Sequence, residues 1–144
     1  LAGILRSLEA APPDEIRNRM LTWDQVREMR SRGVDFGGHT VTHPFVSKLT
    51  PEQAAWEIGE CKRRIEEETQ SGVEHFAYPN GREPDFEPWN KQVVAQAGYQ
   101  AAVSTLWGVN VPGMDYMELR RGQPWEDTLP LFAAKLDWYQ LKDE

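Results

Sequence analysis

The chain has 144 residues, 40% of them hydrophobic and 27% charged, which suits one folded domain and leaves little room for two. Lys and Arg number 16 against 23 Asp and Glu, so the net charge is −7 and no basic face for nucleic acid or an anionic membrane is expected. No apolar run approaches the ~20 residues of a membrane span, and the single Cys61 excludes an internal disulfide and any cysteine-based zinc cluster.

Leu1 to Ala10 has apolar Leu1, Ile4, Leu5 and Leu8 at helical spacing, which predicts a short amphipathic helix stopped by Pro12-Pro13. A polar linker, Asp14 to Arg19, follows. Thr22 and Gln25 form a capping-box pattern, so a helix is expected from Trp23 to Arg32, closed by Gly33. Val34-Asp35-Phe36 then reads as a short strand ended by Gly37-Gly38, and His39 to Leu49 as a loop. Thr50-Pro51-Glu52-Gln53 starts the clearest helix, running to Gln70 with Ala54, Ala55, Ile58, Cys61 and Ile65 on its apolar side. Its glutamates, Glu57, Glu60, Glu66, Glu67 and Glu68, read as a solvated outer face needing no partner.

Val73 to Ala77 is a second strand, and Tyr78 to Pro88, rich in Pro, Gly, Asn and Asp, is a loop. A helix over Trp89 to Ala97 closes at Gly98. Tyr99 to Ser104 is a third strand, and a Gly/Asn/Pro loop carries the chain to Gly113. Tyr116 to Arg120 is a candidate fourth strand. Thr128 to Leu141 is a last helix, with Leu131, Phe132, Lys135, Leu136 and Tyr139 along one side. Alternation of strands and helices predicts an α/β fold with a mostly parallel sheet, either open and doubly wound or part of a barrel. A full eight-unit barrel takes about 31 residues per unit, so this length supplies roughly 4 to 5 units.

Sites in both architectures form where strands end at their carboxyl side. The first such loop, Gly38-His39-Thr40-Val41-Thr42-His43-Pro44, puts two imidazoles four residues apart. Imidazole suits zinc and similar divalent ions, so His39 and His43 are metal-ligand candidates; the alternative is two polar histidines on a surface loop. A zinc-protease site does not fit, because Thr40 rather than a glutamate follows the first histidine. The second loop, Tyr78-Pro79-Asn80-Gly81-Arg82, holds a turn whose backbone N–H groups could serve an oxyanion, or could be an ordinary connection. In the third, Trp107 is either a saccharide-stacking ring or a partly buried aromatic. The six tryptophans of the chain divide between the same two roles.

Together, the strand followed by HTVTHP, the strand followed by FAYPNGR, and the AGYQAAVST segment resemble the polysaccharide deacetylase family with the NodB homology domain. The resemblance covers Leu21 to Arg121. It implies a distorted (β/α) barrel and a metal-dependent hydrolase that removes N- or O-acetyl groups from saccharides, often at the cell envelope. On the matching positions it implies His39 and His43 as metal ligands, zinc being the first candidate. It also implies Thr40 as the hydroxyl that steadies their loop, Asn80 as a backbone oxyanion contact and Pro79 as part of the groove wall. Tyr78, Arg82 and Trp107 are candidates for the substrate groove.

The chain also departs from the family pattern. The Asp-Asp pair that supplies a ligand and the catalytic base has no counterpart; before HTVTHP there are only Asp14, Asp24 and Asp35, of which Asp35 is nearest the site in sequence. Ala77 stands where the third motif has Arg, and no Leu-x-His motif occurs. His75 reads as a solvent-facing strand residue. The start at Leu1, the short barrel count and the missing Asp pair lead us to expect the C-terminal portion of a single, N-terminally truncated deacetylase domain. The upstream part of the parent, or a second copy, would then cover the open sheet edge. The alternative reading is a non-catalytic saccharide-binding or regulatory module on the same fold.

Overall fold

The structure is a computed structural model that describes residues 20–122 and 128–142. The helix expected over Leu1–Ala10, its Pro12-Pro13 stop and the Asp14–Arg19 linker lie outside the described residues. The chain divides into two units, Leu1–Val34 and Asp35–Glu144.

In the first unit, helix α1 spans Trp23–Ser31. The Gln25 N–H donates to the Thr22 hydroxyl at 3.3 Å, and the Thr22 N–H donates to Gln25 Oε1 at 2.9 Å, which completes the expected capping box. Gly33, at φ +90°, turns the chain away at the other end. The Gly33 and Val34 N–H groups close on the Arg30 and Met29 carbonyls at 3.0 and 3.1 Å, a Schellman-type stop. This corrects the strand expected at Val34–Phe36: Val34 spends its N–H on the helix end, and strand pairing begins only at Gly38.

The second unit begins with that pairing. Gly38 bridges Phe76 in parallel; its N–H donates to the His75 carbonyl and its carbonyl accepts from the Ala77 N–H, both at 2.8 Å. After a 3-10 turn at Val46–Lys48 comes helix α2, Pro51–Thr69, with Thr50 and Gln53 forming the expected box and Pro51 in the first turn. Strand β1 is His75–Ala77, helix α3 is Pro88–Gln96 and strand β2 is Ala101–Val103. The strands pair in parallel, His75 on Ala101, Phe76 on Ala102 and Ala77 on Val103, with α3 as the crossover. Helix α4 spans Leu129–Lys142.

Tyr116–Arg120 is not a strand. The Asp115 carboxylate accepts the Met117 N–H at 2.8 Å and caps a 3-10 turn at Tyr116–Glu118. A single parallel bridge, Val103 to Leu119, remains of the expected pairing. Gly38, β1, β2 and Leu119 therefore all run in one direction.

The core is built from the inward faces of these elements: Ala54 and Ile58 of α2, Val94 of α3, Phe76 of β1, Ala102 of β2, and Val46, Val73, Tyr78, Phe86 and Tyr99. Its rings meet edge-on or stacked, with Phe76 to Tyr78 at 5.3 Å and Tyr78 to Phe86 at 4.2 Å. The hydroxyls of the two core tyrosines are satisfied: Tyr78 donates to the Met117 carbonyl at 2.9 Å and Tyr99 to the Ile58 carbonyl at 3.2 Å. Residue 38 must be glycine for packing reasons, because a Cβ there would lie 2.1 Å from the Tyr99 hydroxyl.

Candidate functional site at the carboxyl end of the sheet

Because the strands are parallel, the segments after Gly38, after β1 and after β2 emerge at one end. The first is the histidine turn. Continuing the ladder past Gly38 would pair the Ala77 carbonyl with the N–H of residue 40. Thr40 instead adopts φ +66° and turns away, and the His39 imidazole takes that carbonyl, Nδ1 to oxygen at 2.7 Å. A carbonyl accepts, so Nδ1 carries the proton, and in the neutral ring Nε2 is the lone-pair nitrogen. The His43 ring stands edge-to-face with His39, their centroids 4.8 Å apart, and both side chains belong to exposed residues. The buried Thr40 hydroxyl ties the turn together, donating to the His39 carbonyl at 2.5 Å and accepting the His43 N–H at 3.1 Å.

Positive φ at the β-branched Thr40 and again at His43 (+59°) costs about 1–3 kcal/mol each and persists only where neighbours impose it. The neighbour that meets this turn is Glu57. This side chain reaches up from α2 and is 7% exposed. Its Oε2 accepts the Val41 and Thr42 N–H groups at 2.7 and 2.9 Å, and its Oε1 accepts the Thr42 hydroxyl at 2.5 Å. Hydrogen bonds to a charged acceptor contribute about 1.5–3 kcal/mol each, enough to offset the strain. Burial pushes the Glu57 carboxyl up, but the Thr42 and Val41 donors together outweigh it and hold it below the usual glutamate range. Below the turn, the His39 N–H points at Cys61 Sγ at 3.5 Å, and burial pushes that thiol up.

Glu57 corrects the reading of the α2 glutamates as uniformly solvated. Its place between Ala54 and Cys61, at spacings of three and four, is the signal: it lies on the helix's buried stripe.

The second segment is the turn after β1. Asn80 sits at φ +61°, with its carbonyl accepting the Thr105 hydroxyl at 2.6 Å. The Gly81 N–H closes on the Pro79 carbonyl at 2.7 Å and the Thr105 N–H on the Gly81 carbonyl at 2.8 Å. Among the described residues the Asn80 N–H has no acceptor. Pro79 is fully buried beneath this turn. Tyr78 is buried as well, which removes its side chain from the candidate groove: it shares the inward face of Phe76 two residues earlier and belongs to the core. Arg82 is exposed beyond the turn. Trp107, 39% exposed, lies 5.9 Å from the Trp138 ring of α4.

The two imidazoles are a fitting pair of donors for a divalent metal: one ring is oriented by a backbone carbonyl, as metal-binding histidines usually are. They are two donors where catalytic zinc takes about three from protein. No group of three or more His, Cys, Asp or Glu able to hold an ion occurs among the described residues, so Asp35 does not complete the set. Asp24 is in the other unit, paired with Arg27 at 2.6 Å. His75 is exposed on β1, as expected.

Parallel strands, outer helices and polar loops gathered at the carboxyl end define an α/β fold of the incomplete-barrel kind. The model of the polysaccharide deacetylase family matches residues 10–102, well over half of the chain, and the chain belongs to that family. A curated relative, YxkH of Bacillus subtilis (strain 168), assigned by name to the polysaccharide deacetylases, is 28% identical over 85 residues, or 59% of this chain and 29% of its own length. The deacetylase PplD of Streptococcus pyogenes, solved in complex with acetate, superposes with a TM-score of 0.68 at 24% identity, covering 83% of this chain and 55% of that one. A polysaccharide deacetylase from Bacillus cereus superposes with a TM-score of 0.73 at 22% identity, covering 84% of this chain and 38% of that one. The fold is therefore of the NodB deacetylase type, and the chain spans little more than half of these relatives at most. The family is in general metal-dependent. No helix among the described residues is long and apolar enough to cross a membrane.

Proposed function

We propose that the protein carrying this chain is a hydrolase that removes acetyl groups from a polysaccharide or oligosaccharide. In this reading His39 and His43 are two ligands of a divalent metal, zinc first among the candidates. The observation that carries the reading is the bond from His39 Nδ1 to the Ala77 carbonyl, because it fixes the tautomer that leaves Nε2 free to bind an ion. An ion held there would supply Lewis acidity for acyl transfer to water.

The chain's own residues have separable tasks. Thr40 holds the His39 carbonyl and the His43 N–H in one turn, so both rings face the same region. The unpaired Asn80 N–H is available to a developing oxyanion, and its left-handed backbone is fixed by Thr105 rather than by substrate. Pro79 stiffens the wall beneath it. Arg82 and Trp107 are exposed on loops at the same end, where a saccharide ring could stack and hydrogen-bond. The third metal ligand, the base and the acid are assigned to no described residue.

Acetate release from acetylated chito-oligosaccharides tests this. We expect release by the protein that contains this chain, its loss on chelation, its return with Zn2+, and its absence in His39→Ala. A protein that binds the oligosaccharide and Zn2+ without releasing acetate would overturn the hydrolase in favour of the saccharide-binding module. A protein that carries no metal at neutral pH without chelator would overturn the metal assignment.

A further inference from the structure

We infer that Glu57 is the positioning residue of the histidine turn: its carboxylate, fixed on α2, imposes the conformation in which His39 and His43 face one another. The inference rests on the metal reading above for its functional meaning, but its geometry stands apart from it.

Three observations carry it. The turn contains two non-glycine residues at positive φ, one of them β-branched, within four positions. Such a stretch does not hold itself; its only internal ties are through the Thr40 hydroxyl. The two residues between the strained positions, Val41 and Thr42, give both of their N–H groups and one hydroxyl to Glu57 and to no other described group. Val41 is 37% exposed, so the apolar side chain at the tip does not pack the turn in place. Glu57, by contrast, is anchored: its neighbours Ala54 and Ile58 are fully buried in the core and Cys61, one turn on, meets the His39 N–H.

The charge on the acceptor explains why the residue is a glutamate. The site offers two N–H donors on one carboxylate oxygen and, on the other, a hydroxyl that can donate or accept. A carboxylate accepts from all three in charge-assisted bonds, whereas a glutamine would take the two N–H groups on its one oxygen, turn its NH2 to the hydroxyl, and hold the turn through neutral bonds about half as strong. A leucine there would take away the acceptor of both N–H groups.

The test compares the full chain with Glu57→Gln and, in case that variant does not fold, Thr42→Val, which removes one of the three donors and leaves the carboxylate intact. The readouts are amide hydrogen exchange, imidazole NMR shifts and Zn2+ titration. For Glu57→Gln we expect exchange at Val41 and Thr42 to rise at least about tenfold with Phe76 and Ala102 little changed, the His39 and His43 ring signals to shift, and Zn2+ affinity to fall about 10- to 100-fold. Thr42→Val should move the same signals in the same direction by less. Two results overturn the inference: ring signals and Val41/Thr42 exchange that stay as in the parent, or protection lost equally across β1 and β2, which is a plain stability effect. If the parent binds no Zn2+ and matches His39→Ala, the metal reading fails, and exchange and ring shifts still decide the role of Glu57.

Discussion

The His39–His43 turn and the Pro79–Gly81 turn leave the same end of the sheet, and both hold non-glycine residues at positive φ. They differ in what keeps them there. In the first, the residues between the strained positions hang from one carboxylate on a helix. The second is laced to the segment after β2 by backbone and hydroxyl bonds, and stands on the buried Tyr78 and Pro79. The difference teaches how a site can be built on two short strands and the single bridges beside them. In the proposed site, the side chains that would face an ion are aimed by a removable polar anchor, and the backbone N–H that would meet an oxyanion is laced to the core.

The largest way to break the comparison is to remove what both turns share. Tyr78→Ala deletes the ring that stacks on Phe86 and meets Phe76 edge-on, and should cost about 3–5 kcal/mol, read by chemical denaturation, with both turns lost together. Gly81→Ala is more selective. Residue 81 is at φ +70° and a Cβ would lie 2.9 Å from the Thr105 N, so a loss of about 1–3 kcal/mol is expected. The His39 and His43 ring signals should stay in place; if they shift, the two turns are not independent. Thr105→Val, which removes the bond to the Asn80 carbonyl, should cost about 0.5–1.5 kcal/mol and raise exchange around Asn80 alone.

The smallest effect is pH-dependent. Lys91 of α3 pairs with Asp115 at 2.8 Å and Glu118 at 2.6 Å, bracing the turn whose Met117 carbonyl receives the Tyr78 hydroxyl. The Lys91 ammonium bonded to Asp115 holds that carboxyl below its ordinary value of 3.8. A carboxyl lowered in the fold contributes stability that is present above its unfolded value and lost as pH falls through its folded one. The denaturation midpoints of the parent and of Lys91→Met should therefore differ at pH 6 and converge as pH drops below 4. A gap that stays constant with pH would remove Asp115 from the account.

What could be read in advance was local chemistry. Thr22 with Gln25, and Thr50 with Pro51 and Gln53, declare their helix starts within four residues, and the structure begins α1 and α2 there. The family itself was legible in the turns after the strands. Strand limits were not, because pairing is decided across the fold: Val34 looks like a strand residue, yet its N–H closes a helix, and Tyr116–Arg120 yields to the cap at Asp115. Tyr78 was misplaced for a simpler reason. A residue read as the start of a loop was still in step with the two-residue alternation of β1, which sends it inward with Phe76. Glu57 was hidden by company, one glutamate among several on an acidic helix, with only its position on the apolar stripe to mark it.

One bond described above makes strand register a measuring device. The Ala77 carbonyl that orients His39 is locked opposite Val103 by the pairing of β1 with β2. Sliding β1 by one residue would carry that carbonyl about 3.3 Å along the sheet and turn its neighbours to the other face. The imidazole would lose its rest even with every residue of its own turn unchanged. An insertion or deletion inside His75–Ala77 should thus disable the histidine pair as surely as replacing either ring, and the sheet's alignment can be gauged from the tautomer of a single side chain.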